Sequence, residues 1–574
     1  LLNIETDVLV VGGGGAGSRA ALEAARSGAK VAIALKKTKR GSGCTAKAVS
    51  ELSAYSASFG YKDPRDKPHN HYLDTVNEGA GLADEALVKI LCTESPKCLE
   101  EVISMGASFN MNEGRLDQLL ADASTLPRAV HHGADTGRVI LDAVVHQIEN
   151  DSRVTFFENT AILKLLTSYG TVVGALGINT KNGEFITFKA KSTVLATGGA
   201  CYLYELNGQP DDLTGTGYGM AYDVGATLIN MEMIQFGPAI IYPVKGYLLV
   251  TKYWRLKPRL YNKDGEEFLY KYVPGNLTAE EALRAKEFAF PFNLGNPGMY
   301  VDIAMHSEIC AGRGSEHGGV YLDVSHNDAE TIENTVPVTF KWFLARGIDI
   351  RKGPIEIAPV AQCFIGGIKV NSRTETNIPG LYCCGEAEGG VHGAARPGGN
   401  MLAASQVFGK IAGTEAAKRA LPLSGVIIDE NQIAQAAAEF KTVMERKEGI
   451  APADIQKKIQ KLMWRNVSIR REENGLKEVL KELDEIETQV LPKLKGGSLQ
   501  DTILSFEMGG MVKTAKLVTL SALLRKESRG SHFRTDYPGR NSDKWLKTIE
   551  VQGPGEGKVS YRIPRKLNDF YVSE

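Results

Sequence analysis

Three glycines at GxGxxG spacing, Gly12, Gly14 and Gly17, directly follow the apolar run at residues 6–11 (TDVLVV) and lead into the alanine-rich stretch 18–28 (SRAALEAARSG). Glycines so spaced permit a tight turn, bring backbone close to a pyrophosphate and let the next helix pack hard on the strand, its N-terminus facing the anion. A bare GxGxxG carries little weight, but this one lies strand, turn, helix in order, with residues 30–35 (KVAIAL) forming a second strand. The acidic residue that would hold a ribose at the end of that strand is missing, and Leu35-Lys36-Lys37 stands in its place. A second chemical group is Arg396, a guanidinium between the pairs Gly389-Gly390 and Gly398-Gly399. An arginine in such a setting is a natural anchor for an anion, against the plainer reading of a pair with a local carboxylate. None of the eight cysteines sits in a CxxC, and Cys383-Cys384 are adjacent, a pattern of a reducing compartment without cluster-binding spacing. The pairs His69/His71 and His131/His132 lack acidic or cysteine companions at ligand spacing, so no metal site is expected.

These groups have to be positioned by elements far apart in the chain. The strand-like segment 191–196 (KSTVLA) ends in Thr197-Gly198-Gly199-Ala200, and 380–386 (GLYCCGE) leads to 389–400 (GGVHGAARPGGN) and a helix over 401–412. A simple dinucleotide domain closes within about 150 residues. The return of glycine-rich strand ends near 200 and 385 predicts strands converging on one long ligand, FAD rather than NAD. The patterning places an FAD-binding domain at 1–230 and 359–421, around an aromatic- and proline-rich insert at 231–358. Residues 422–545 read as a helical domain. In it Ile455, Ile459, Leu462 and Met463 share one face, as do Leu476, Val479, Leu480, Leu483 and Ile486, and Pro452 suits a first turn. Residues 546–574 form a C-terminal tail.

The near-balance of 67 Lys+Arg against 68 Asp+Glu argues against a nucleic-acid grip through bulk positive charge. No apolar run approaches the roughly 18–20 residues that span a bilayer, and no signal-peptide pattern is visible.

The segments VVGGGGAG (10–17), VLATGGA (194–200), GGVYLDVSH (318–326), HGAARPGGNML (392–402) and RKESRGSHFRTDYPGRNSDKW (525–545) occur in this order over more than 500 residues. Together they resemble the flavoprotein subunits of the fumarate reductase/succinate dehydrogenase family, whose relatives include L-aspartate oxidase and adenylylsulfate reductase. The resemblance implies an α/β fold: a Rossmann-like FAD-binding domain with an inserted α+β capping domain, a C-terminal helical domain and a small tail. It also implies an FAD-dependent oxidoreductase acting on a small-molecule substrate and exchanging electrons with an iron–sulfur protein. The location expected is the cytoplasm, or the membrane through partner subunits.

Matched motif by motif, the positions assigned to FAD are Gly12, Gly14, Gly15, Gly17, Lys36, Cys44, Thr45, Ala196, Thr197, Gly198, Thr216, Glu386, Asn400, Met401 and Leu402. Cys44 stands where members with covalent flavin carry histidine, and the FAD is read as non-covalent. The family's substrate pocket is only partly kept. Arg396 is retained at the substrate-binding arginine; Gly237 and Ala239 replace the histidine and threonine of QFHPT, and Gln362 replaces the histidine of HYxxGGI. Ungapped counting puts Trp254 over the family's proton-transferring arginine, and a one-residue slip puts Arg255 there. With Gly237 opening volume and Trp254 offering an aromatic wall, the expected substrate is larger, flatter or less charged than fumarate. An enoate or enoyl-type compound fits; the alternatives are an electron relay with a degenerate pocket and an adenylylsulfate-reductase-like sulfur enzyme.

Overall fold

The computed structural model describes residues 1–554 and 557–566. Its central sheet is built on the strand Leu2–Val11, which runs parallel to Val31–Ala34 on one side and Phe185–Leu195 on the other. Leu381–Cys383 adds to Phe185–Leu195, again parallel, and Val154–Phe157 adds to Val31–Ala34. The register pairs Val11 with Ala34 and Leu195, and Leu195 with Cys383. Gly12, Leu35, Ala196 and Cys384 therefore leave the sheet at one edge and one level. That is the place where open α/β sheets bind ligands.

The strand interiors read as unbroken apolar runs because helices cover them. The helix Gly15–Arg26 lies against the helix Asn400–Ala420, which begins immediately after the segment carrying Arg396. Glycine makes this contact possible: a Cβ on Gly409 would lie 2.6 Å from the Ala16 carbonyl oxygen, and one on Gly413 would overlap Ala20.

The insert is organised by two long, paired antiparallel strands, Ile234–Tyr242 and Ile355–Phe364. The predicted return at residue 359 falls within the second, which is buried along its whole length and so has no polar break to mark a boundary. Between them lies a separate core that includes Tyr253, Trp254, Phe268, Phe340 and Phe343. The helices Pro452–Val467 and Glu473–Glu485 pack on Leu499–Leu524, with Pro452 in the first turn as its missing N–H suggests. Beyond 546, Thr548–Gln552 and Lys558–Arg562 extend a sheet formed with Thr227–Ile229 and Gly367–Lys369, so the tail is sewn to the FAD-binding half through buried Ile549 and Val551. Residues 555–556 and 567–574 of the tail lie outside the described residues. Among the described residues no helix is long and apolar enough to cross a membrane.

The junction of these parts is ionic. Arg525 bonds Glu232 (2.6 Å) and Glu527 (3.2 Å), and Arg529 bonds Glu527 (2.6 Å), all four side chains fully buried. Arg529 also donates to the Ala80 carbonyl, and Ser531 to that of Ala394, two residues before Arg396. Removing one partner of a buried pair strands the other charge, at a cost of about 3–5 kcal/mol. Glu527→Ala should lower the unfolding free energy of the holoprotein by about that much in calorimetry or denaturant titration. Arg373→Ala, which breaks the exposed pair with Glu375, should change it by about 0–1 kcal/mol.

Candidate active site

The sheet edge opens into a cavity, and the chain positions its walls from all parts of the sequence. At the glycine turn, Gly12 has φ of +104°, and a Cβ on it would overlap the Ala196 carbonyl. A Cβ on Gly17 would overlap the Gly12 carbonyl in turn, so Gly17 lies beneath the loop and closes helix against strand rather than facing the cavity. Gly12, Gly14, Gly15 and Ala16 line the trough at the helix N-terminus. The Thr45 hydroxyl accepts from the Gly15 N–H (3.1 Å) and draws the Cys44–Ala46 turn over them. Lys36 is ion-paired to Glu507 (2.7 Å), a residue of the long helix Leu499–Leu524 that also lines the cavity. The neighbouring cations are taken as well: Lys37 pairs with Asp211, and Lys39 and Arg40 with Glu149.

The middle of the cavity is polar. Thr197 Oγ1 and Asp212 Oδ1 are buried without a protein partner, and Gly198 takes φ of +71°. Thr216 opens a short helix behind a left-handed Gly215 (φ +79°). Glu386 accepts from the backbone N–H groups of Phe364 (2.9 Å) and Gly199, while burial pushes its carboxyl up from the ordinary range. Burial also pushes the Cys44 thiol well up. A protonated thiol is a poor nucleophile.

Arg396 lines the cavity together with Gln362, Gln209, Asp122 and Phe290. Gln235 donates to the Arg396 carbonyl (3.2 Å) and Gln209 to the Gln362 carbonyl (2.5 Å), which fixes both backbones. Arg396 Nη1 donates to the Pro397 carbonyl (3.2 Å), but its Nε, and the amide oxygens of Gln209 and Gln362, are buried without a partner. Buried polar atoms left unpaired in this way mark places that a ligand satisfies. Among the residues that line the cavity the cations are Lys36, already paired to Glu507, and Arg396.

Comparison with known proteins identifies the frame. A family model described as FAD binding domain matches residues 7–402, and one described as Fumarate reductase flavoprotein C-term matches 456–569. The chain belongs to the fumarate reductase/succinate dehydrogenase flavoproteins. It is 37% identical to a fumarate reductase (CoM/CoB) subunit of Methanothermobacter marburgensis, over 95% of this chain and 96% of that one. It is 32% identical to the chloroplastic L-aspartate oxidase of Arabidopsis thaliana, over 95% of this chain and 83% of that one. Among solved structures, Mycobacterium smegmatis Sdh1 in complex with UQ1 superposes with a TM-score of 0.87 at 29% identity, covering 99% of this chain and 95% of that one.

This flavoprotein is an FAD-dependent oxidoreductase, and its residues fit that cofactor. The glycine cradle suits the pyrophosphate, and the orphaned polar atoms at the middle suit the ribityl chain. The start of the Asn400–Ala420 helix suits the flavin ring, where its positive end favours negative charge. Of the expected contacts, Gly12, Gly14, Gly15, Lys36, Cys44, Thr45, Ala196, Thr197, Gly198, Thr216, Glu386, Met401 and Leu402 line the cavity, as do Arg396 and Gln362. Asn400 does not: its side chain turns back to His71 (2.8 Å) and Thr75 (2.9 Å), fastening the helix start to the Pro68–Glu78 helix.

Two further expectations need correction. Trp254 is buried in the insert core, its indole N–H donating to the Leu249 carbonyl (3.0 Å), and Arg255 is exposed at the end of that turn; neither lines the cavity. The apolar Leu256 and Leu260 around them pull that segment into the insert core and leave Arg255 on its outer side. Nor does Gly237 open space, because a Cβ there would lie 2.8 Å from the Phe290 ring. Phe290 is the aromatic wall that motif spacing assigns to Trp254. Asp122, Phe290, Gln209 and Glu507 escape sequence reasoning for a common reason: none belongs to a glycine-rich motif, and each reaches the site only through tertiary packing.

Two tests follow from this geometry. Gly12→Val should abolish FAD retention, read from flavin absorbance of the purified protein, because no backbone adjustment relieves its overlap with Ala196. Acid denaturation should release all flavin from the wild-type chain, and Cys44→Ser should hold FAD as the wild type does; flavin left on the precipitated chain would contradict the non-covalent reading.

Proposed function

We propose that this flavoprotein transfers hydride between FAD and a small organic anion other than fumarate, an enoate or enoyl-type compound, and exchanges electrons with an iron–sulfur partner. The observation that carries the reading is the Arg396 end of the cavity: one guanidinium, two amides, one carboxyl and an aromatic ring. Bound FAD supplies the hydride chemistry. Arg396 binds the anionic or carbonyl end of the substrate, and the amides of Gln362 and Gln209 orient it. Phe290, with Leu248 and Val250, covers the body of the substrate and keeps water away. A dicarboxylate brings a second charge to a wall that offers it no second cation, and an unpaired buried carboxylate costs several kcal/mol.

The partner is argued from cysteine placement. All eight cysteines are free, and among the described residues no group of three or more His, Cys, Asp and Glu is arranged to hold a metal. The relative at 37% identity is by name one subunit of a larger enzyme. The working location on this reading is the cytoplasm, or a membrane reached through partner subunits.

The wild-type holoprotein should show little succinate dehydrogenase or fumarate reductase activity in dye-linked assays. Arg396→Ala should lower turnover of its own substrate on the order of 10²–10³-fold, the scale for losing a preorganised charge partner. Gln362→His alone should not restore fumarate turnover, since groups acting as a unit are not additive. Unchanged activity in Arg396→Ala would contradict the anchor and favour an electron relay.

A further inference from the structure

With Trp254 and Arg255 outside the cavity, the site lacks the proton-transferring group that reduction or formation of a C–C double bond requires. We propose that Asp122 is that group, its carboxyl giving a proton to the substrate carbon beside the anion held by Arg396, or taking it in the oxidative direction; this rests on the substrate reading above.

The loop carrying Asp122 is built into the Arg396 segment. Its carbonyl accepts from the Gly398 N–H (2.9 Å), and a Cβ on Gly398 would lie 3.2 Å from the Ala121 Cβ and 3.3 Å from the Asp122 nitrogen. The next residue, Ala123, sits in the left-handed region at φ +57°. A buried network holds that turn: Asp74 accepts from the Thr125 N–H and hydroxyl (2.9 and 3.0 Å) and pairs with Arg128 (2.5 Å), which also pairs with Asp66 (2.9 Å). A loop fixed this firmly presents its side chain in one place. Asp122 lines the cavity with Arg396, Gln362 and Phe290.

The groups around it suit an acid that cycles its proton. Thr251, Arg396 from the glycine-rich loop and Lys286 from the Ala279–Lys286 helix each favour the charged form of the carboxyl. Lys286 is itself held by Asp302 (2.5 Å) and the Phe290 carbonyl (2.7 Å). From the Pro68–Glu78 helix, Glu78 adds negative charge, though its own carboxyl is also raised by burial and bonded by Asn293 (2.6 Å). Burial outweighs the cations and brings Asp122 up to about 6. A general acid works best with a pKa near the working pH.

The atoms balance. In reduction, hydride delivered by the reduced cofactor forms a C–H bond at one alkene carbon, and the π bond breaks. The Asp122 proton forms the C–H bond at the other carbon, leaving a carboxylate that solvent reprotonates. In oxidation the same carboxylate removes the proton as hydride departs.

The test uses FAD-loaded wild type, D122N, D122E and R396A, with crotonate as the probe enoate. Crotonate affinity is read from the visible spectrum of oxidised flavin between pH 5 and 8, proton uptake on binding by calorimetry in two buffers, and enoate reduction by steady-state kinetics. An anion beside Arg396 raises Asp122 further, so wild type should bind crotonate more weakly as pH rises above about 6 and take up protons at pH 7. D122N should keep FAD, bind crotonate at pH 5 within a few-fold of wild type, lose the pH dependence and the proton uptake, and reduce the enoate about 100-fold or more slowly. D122E should recover part of the rate with a shifted pH profile. D122N with wild-type rate and pH dependence would overturn the proposal, while R396A still fails to bind the probe. Equal crotonate binding by wild type and R396A would instead overturn the anchor on which the substrate reading stands, and the role of Asp122 with it.

Discussion

Backbone from opposite ends of the chain has to reach one ligand, and the parallel register of the central sheet makes that happen. Because Val11, Ala34, Leu195 and Cys383 are aligned, the turns after them open at one edge. Every other feature of the site depends on this alignment. A one-residue slip would turn each strand over, carrying the apolar faces out of the core and the glycine turns out of line. The contact between the Gly15–Arg26 and Asn400–Ala420 helices locks the same arrangement from above, since residues larger than Gly409 and Gly413 would push the helices apart and lift Arg396 from the cavity.

The electrostatics follow from that enclosure. Cations near the glycine turn are neutralised by acids of the chain itself, among them Glu507 from the helical domain. Arg396 stays open on Nε, which has no protein partner. The histidines behind this wall are not cations at neutral pH, because burial lowers His71 to about 4 and, with the Arg396 charge adding to it, His392 to about 3. On the proposed reading the site takes one negative charge, beside a carboxyl that burial raises to about 6.

Much of this was legible in the sequence wherever local pattern and tertiary role coincide. Residues 6–17 read as strand and glycine turn because a buried parallel strand is an unbroken apolar run and a pyrophosphate turn tolerates little but glycine. The bundle faces were visible because Ile455, Ile459, Met463, Leu476, Val479 and Leu483 follow a helical period into a shared core. Asn400 was assigned to the cofactor from motif position alone, yet an asparagine at a helix start finds partners behind it as readily as in front. The insert resisted reading most. Phe290 in the insert and Asp122 in the FAD-binding half sit in irregular segments whose direction is set by packing, so motif spacing points instead to Trp254 and Arg255, which do not line the cavity.

The central claim is that the Arg396 end of the cavity is a one-anion site tuned away from dicarboxylates. It is tested most directly by reducing the FAD-loaded protein anaerobically and following flavin reoxidation by stopped flow against fumarate, crotonate and an enoyl thioester at equal concentration. The account predicts that the enoate or the enoyl thioester reoxidises the flavin faster than fumarate does. Fumarate as the fastest acceptor of the three would contradict it.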